Sequence, residues 1–225
     1  MHYLVLQLKA PLASFGSTSG EQRGTDGRPR RAAVVGLLAA ALGIQRSEDS
    51  RFLALSNALS LGYVVLRTPT VLVDFHTVQA PAKQIGRTRR EQLATGEPNS
   101  MVTRREYLQS GHWLVVLGGE ESVLRTIADA LCAPAFPLYL GRKSCALSAF
   151  TAPLVFAAET AEDAMREWSR RVGGTGHPCE REFFWEADLP TAVEPLVVHR
   201  RNDRRTALSR NSFSSRVERE GHLTL

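Results

Sequence analysis

Apolar residues crowd the start of the chain. Residues 2 to 9, HYLVLQLK, are rich in Tyr, Leu and Val and predict a strand that ends before Pro11. From Ser14 to Arg31, Gly16, Gly20, Gly24 and Gly27 are interspersed with Ser, Thr and Arg, which reads as a loop, and Pro29 stands where a helix can begin. Large apolar side chains then recur at 34, 35, 37, 38, 42 and 44 with small residues between them, predicting a closely packed helix over Ala32–Ile44 that stops near Gly43. A second helix is expected over Asp49–Leu59, a strand over Leu61–Leu66 and another over Thr70–Val78, set apart by Pro69.

Between residues 80 and 110 the apolar periodicity is lost, and Pro81, Gly86, Gly96 and Pro98 lie among six basic residues. A segment of that length without a core of its own is unusual inside a domain, and such loops are mostly functional or mobile. The pattern resumes with a strand at His112–Leu117 and a helix at Glu120–Leu131, and Pro134 and Pro137 lead into a last strand candidate, PLYLGRKSC. This order is the βαββαβ of a ferredoxin-like or RRM domain. A smaller αβ region starts near residue 151: a strand at Leu154–Ala158, a helix at Ala161–Arg171, a loop at Gly173, Gly174 and Gly176, short strands at Phe183–Glu186 and Leu196–His199, and an Arg-rich tail. The expected fold is α+β: a palm over residues 1–150 and a small C-terminal β-rich region over 151–225.

Composition narrows the class. With 43% hydrophobic and 23% charged residues the chain is an ordinary globular one, and no apolar run reaches the ~18 residues of a membrane span. No secretory leader is recognisable, so the expected location is cytoplasmic, with no membrane partner. Cys132, Cys145 and Cys179 form no CxxC or Cys/His grouping beyond the isolated His177/Cys179 pair, so neither a disulfide framework, a metal site nor a cofactor is expected.

Charge changes the picture more. The net +5 divides into +3 over residues 21–46, +3 over 81–110 and +4 over 196–225, against −5 over 151–195. Separate basic segments and one acidic segment suit a protein that holds a polyanion on one surface and leaves another for a partner. The bland alternative is base composition, since 25 of the 28 basic residues are Arg.

The glycine loop before a helix resembles a phosphate cradle, but it lacks GxxxxGK[ST], and its cations are Arg28, Arg30 and Arg31. In DFHTV, Asp74 and His76 share a strand face, the geometry of a general acid/base pair or of a plain hydrogen bond. TRREYL supplies Arg104, Arg105 and Tyr107. PLYLGRKSC supplies Tyr139, Gly141, Arg142, Lys143 and Ser144, and RNSFSSR repeats the mixture of cation, hydroxyl and aromatic ring that binds single-stranded RNA.

Taken in order, LVLQLKAPLASFG, the Gly/Arg loop, VVGLLAAALGIQR, DFHTVQ, TRREYL, PLYLGRKSC and RNSFSSR resemble the CasD family, the CRISPR RNA (crRNA) 5′-handle-binding subunit of the type I-E Cascade complex, from about residue 3 to residue 216. The resemblance implies a ferredoxin-like palm with a thumb inserted at about 79–111. It also implies a non-catalytic role: hooking the handle, capping the CasC backbone filament, contacting the large subunit CasA, and meeting target DNA only through the complex. By the same analogy the handle pocket comprises Phe15, Gly16, Arg23, Arg30 and Arg31 with Tyr139, Gly141, Arg142, Lys143, Ser144 and Cys145. His76, Gln79, Arg104, Arg105 and Tyr107 lie at the thumb base. One departure stands out. Where the family has Pro-Thr-Arg/Lys-Ser-Gly before its first helix, this chain has PRRAA, Pro29–Ala33.

Two other readings compete. A metal-independent endoribonuclease acting on the repeat would use Tyr, Lys and His, but His76 has no neighbouring Lys, and Lys83 and Lys143 lie in other segments. A general single-strand binder acting alone would bind RNA whatever its handle sequence.

Overall fold

A computed structural model describes residues 1–16, 20–81, 88–94, 96, 99–149, 151–172, 179–210 and 212–225. Lys83, Gly86, Pro98, Gly173, Gly174, Gly176 and His177, all weighed above, lie outside the described residues. In chain order the first half contains β1 (His2–Lys9), β2 (Leu12–Ala13), β3 (Phe15–Gly16), β4 (Gln22–Arg23), β5 (Thr25–Asp26), α1 (Arg31–Ala41), α2 (Asp49–Asn57), β6 (Ser60–Arg67) and β7 (Thr70–Ala80). The second half contains α3 (Arg89–Ala94), β8 (Asn99–Gln109), β9 (His112–Gly119), α4 (Glu121–Cys132), β10 (Leu154–Ala157), α5 (Ala161–Val172), β11 (Glu180–Glu186), β12 (Val197–Ala207) and β13 (Ser212–Thr224).

One antiparallel sheet organises the molecule, in the order β10-β1-β9-β6-β11-β13-β12. Its first four strands keep the order expected of a ferredoxin-like palm. Both faces of the sheet are covered, which is why β1, β6 and β9 read as nearly continuous apolar runs rather than as alternating ones. Leu4, Leu6, Leu8, Trp113, Val115 and Leu117 face a core closed by α1, α2 and the Leu124, Ile127 and Leu131 stripe of α4. Tyr3, Val5, Leu114 and Val116 face the opposite core, closed by Ala161, Ala164, Met165 and Trp168 of α5.

Three sequence expectations are corrected. The fourth palm strand is Leu154–Ala157, paired with β1, whereas PLYLGRKSC is a tight turn. Leu140 N–H donates to Cys145 O at 2.8 Å and Cys145 N–H to Arg142 O at 2.8 Å, so the turn spends on itself the groups that a strand would offer a neighbour. Second, the stretch lacking apolar periodicity ends in an 11-residue strand: β8 pairs with β7 from Thr70↔Gln109 to Ala80↔Asn99 without a register shift. The periodicity is hidden because most of the hairpin is exposed on both faces, and only Thr103, Tyr107 and Leu108 of β8 are buried. Third, the Arg-rich tail is the hairpin β12–β13, which pairs with β11 and so extends the palm's own sheet across the division expected near residue 151.

That hairpin is fixed by buried ions. The Arg31 guanidinium donates to Glu186 Oε1 at 2.5 Å, Ser56 Oγ at 2.6 Å, Ser56 O at 2.7 Å and Leu59 O at 3.0 Å. Arg216 donates to Asp203 at 2.7 and 3.1 Å and to Glu218 at 2.6 Å. Asp203 also accepts the Arg31 backbone N–H at 2.9 Å, so a carboxylate on β12 caps the start of α1 in place of a local Ser or Asp. Burial pushes the Glu186 carboxyl up despite Arg31 and Arg216. Asp203 is held low by Arg216, whose hydrogen bonds and charge outweigh its burial.

Candidate nucleic-acid interface

The turn at 139–146 sits against Ser14, and one residue decides how closely. Gly141 has φ +87°, and a Cβ there would lie 1.7 Å from Ser14 O, so only glycine allows the two backbones to meet. Ser14 N–H donates to Leu140 O at 3.0 Å, while the Ser14 hydroxyl reaches Glu106 O at 3.4 Å and ties the same segment to β8. β2 and β4 flank β8 on the edge opposite β7: Ala13 pairs with Leu108, and Gln22 and Arg23 run parallel to Arg104 and Arg105.

Strand alternation then sorts the cations. Thr103, Arg105 and Tyr107 point to one face of β8 and Arg104 and Glu106 to the other, so the adjacent pair Arg104–Arg105 is divided. Arg105, whose Nε donates to Thr103 Oγ1 at 3.1 Å, has Arg23 as its neighbour on β4. Arg142 lies 4.4 Å over the Tyr107 ring and donates to Glu106 O and Arg23 O, each at 3.2 Å. Arg23 Nε donates to Gly20 O at 3.1 Å. Each of these acceptors is a carbonyl or a hydroxyl rather than a carboxylate; the acid on this face, Asp74 opposite Arg105 on β7, is bonded to His76. Lys143, Ser144 and Gly141 are exposed beside it, and Tyr139 is half-buried.

The other expected residues fall elsewhere. Arg104 donates to Glu106 Oε1 at 2.9 Å on the opposite face, across from the exposed Phe75. His76 Nε2 meets Asp74 Oδ2 at 2.5 Å on the Arg105 face of β7, and Gln79 is exposed further out, its carbonyl accepting from Arg89. Gly16 is exposed and a Cβ there would meet open space. Phe15 belongs to the core, edge-on to Trp113 with ring centroids 5.4 Å apart. Cys145 is also buried, which pushes its thiol up, and serves the turn through its backbone. Arg30 is paired with Asp26 at 2.6 Å. Arg31 is a correction: 1% exposed and committed to Glu186 and Ser56, it cannot reach a ligand.

Sequence reasoning missed Ser14, Thr25 and Glu106. Thr25 Oγ1 accepts the Phe15 N–H at 2.8 Å, and Glu106 accepts from Arg104 and, at 3.4 Å, from the Thr25 N–H, locking the glycine loop to β8. The signal lay inside the quoted motifs, in the small hydroxyl of LASFG and the single acid of TRREYL.

Residues 3–220 match the family model described as CRISPR-associated protein (Cas_Cas5), and the chain belongs to that family. It is 31% identical over 210 residues to the CRISPR system Cascade subunit CasD of Escherichia coli (strain K12), covering 87% of this chain and 89% of that one. A chain from a CRISPR RNA-guided surveillance complex aligns with a TM-score of 0.72 at 26% identity, covering 99% of this chain and 90% of that chain. A crystal structure of a Cas protein aligns at 0.65 and 29%, covering 99% and 95%.

Proposed function

We propose that this chain is a non-catalytic subunit of a CRISPR RNA-guided surveillance complex, and that it holds the 5′ handle of the crRNA on the face built by β4, β8 and the 139–146 turn. The observation that carries the reading is the convergence of Arg23, Arg105 and Arg142 around Tyr107 on neutral acceptors. Guanidinium groups held by carbonyls and hydroxyls keep their charge for phosphate. Holding the handle there fixes the end from which CasC-type backbone subunits count along the guide, with a CasA-type large subunit alongside. Target DNA is then read by the guide itself, in keeping with the division between phosphate contacts that position and base contacts that specify.

The test is binding of handle RNA by Arg23→Glu/Lys143→Glu, two exposed positions. Arg142 is avoided because it clamps β4 to β8. Affinity should fall and the salt dependence should flatten by about two counterions. Unchanged affinity and slope would overturn the reading.

One observation favours the endoribonuclease as a second reading: the 2.5 Å His76–Asp74 pair orients an imidazole on the same face as Arg105. Specific cleavage of repeat RNA in chelator, lost in His76→Ala, would establish it.

A further inference from the structure

The turn of the β12–β13 hairpin rests on the first residue of α2. Asp49 accepts the Leu208 N–H at 2.6 Å, the Ser209 N–H at 2.9 Å and the Ser209 hydroxyl at 2.5 Å, so its carboxylate shapes the turn and stands as one negative charge among the arginines around it. Glu48, the next acid, is taken by Arg51 at 2.6 Å and by the Gln45 N–H at 2.7 Å. Three arginines gather around this point: Arg46 from the α1–α2 loop, Arg205 from β12 and Arg210 from the turn, while the neighbouring Arg204 leaves the other face of β12 for Asn57 at the far end of α2.

Uncharged groups orient the two β12 side chains. Arg204 donates to the amide oxygen of Asn57 at 3.1 Å, and Arg205 lies 5.3 Å over the Phe213 ring. Arg46 and Arg210 are exposed, and the charge that Arg210 feels is that of the already committed Asp49. Burial, and after it the nearby Arg46, push the Arg205 guanidinium down. Such crowding costs free energy in the free protein and is relieved when an anion arrives. Arg28, Arg201 and Arg216 at the root of the hairpin differ, each being matched to a carboxylate.

We propose that this tip is a second nucleic-acid site, distinct from the handle face, that grips the sugar-phosphate backbone of duplex DNA. Duplex is favoured over single strands because Phe213, the aromatic ring at the tip, has Arg205 stacked over it, so the surface offers guanidinium and hydroxyl donors where unpaired bases would need a stacking platform. Thr206, Ser209 and Ser212 supply the hydroxyls. An acidic protein segment is the rival occupant.

The experiment measures anisotropy of a labelled duplex of about 25 base pairs with the purified full chain across a salt series, with handle RNA in parallel. Arg46→Glu/Arg210→Glu should bind the duplex about tenfold more weakly at about 100 mM salt and lower the salt slope by about two, while binding handle RNA as the parent does. Arg46→Gln/Arg210→Gln should move duplex binding the same way by less, which guards against misfolding of the charge reversal. The proposal is overturned by absence of duplex binding in the parent protein, by unchanged duplex binding in both variants, or by equal loss of duplex and RNA. It is also overturned if polyglutamate of matched charge displaces the duplex as well as unlabelled duplex does, which would assign the tip to an acidic protein. Duplex binding that depends on the tip in a protein indifferent to handle RNA would support the tip and count against the handle reading.

Discussion

Two arginine-rich regions of this molecule contrast. Where α1 meets the β12–β13 hairpin, Arg31 and Arg216 are buried and face Glu186, Asp203 and Glu218. On the β4–β8 face, Arg23, Arg105 and Arg142 are held by carbonyls, a hydroxyl and an aromatic ring. The first arrangement pairs each guanidinium with carboxylates and joins distant parts of the chain; the second holds its guanidinium groups on uncharged acceptors. The kind of acceptor, rather than the density of Arg in the sequence, separates an arginine that builds the fold from one that can meet a polyanion.

The contrast breaks most visibly at the buried end. Arg216→Met leaves Asp203 buried without its guanidinium and Glu218 to Arg28 and Arg201, and should cost about 3–5 kcal/mol, read as a lower midpoint in urea denaturation. Arg23→Glu/Lys143→Glu, by contrast, should leave the midpoint within about 0.5 kcal/mol of the parent while weakening handle RNA. If Arg216→Met and the double variant destabilise alike, the distinction fails.

Gly141→Ala probes the frame that carries the exposed arginines. With φ +87° and no room beside Ser14 O, alanine should destabilise by more than about 1 kcal/mol and weaken RNA binding together with stability. Serine in place of Gly16, where a Cβ meets open space, should leave stability unchanged.

A pH dependence is expected beside these substitutions. Burial, with Lys9 and Arg181 nearby, lowers the His112 pKa to about 4 from the ordinary 6.5. The unfolded chain therefore takes up a proton before the folded one, and stability should decline as pH falls from about 6.5 to about 4. His112→Asn should flatten the urea midpoint across that window.

Much of this was legible in the residues. Tyr-, Leu- and Val-rich runs marked β1, β6 and β9, a helix was expected over Glu120–Leu131 where α4 lies, and the motifs taken together marked the family. What stayed hidden depended on partners remote in the chain. Arg31 looked like the ideal cation at a helix start, and nothing near it in sequence foretells Glu186, 155 residues away. TRREYL showed two adjacent arginines, but only the β4 and β7 pairings reveal that one of them joins Arg23 and Arg142 while the other faces Phe75. PLYLGRKSC has the apolar start of a strand, and the contact of Gly141 with Ser14 is what makes it a turn.

The strand order has a consequence for how the protein is made. β6 is bordered by β11, and β11 by β13, so the sheet that begins at residue 2 is complete only when residues 212–224 have joined it. During synthesis, the arginines of α1 and the glycine loop emerge long before Glu186, Asp203 and Glu218 exist to receive them. Non-local closure of this kind slows folding and prolongs the life of incomplete chains. A nascent chain stopped before β11 would carry Arg31 unpaired, and completion of the C-terminal hairpin is the step that turns a basic polypeptide into a subunit with its charge sorted.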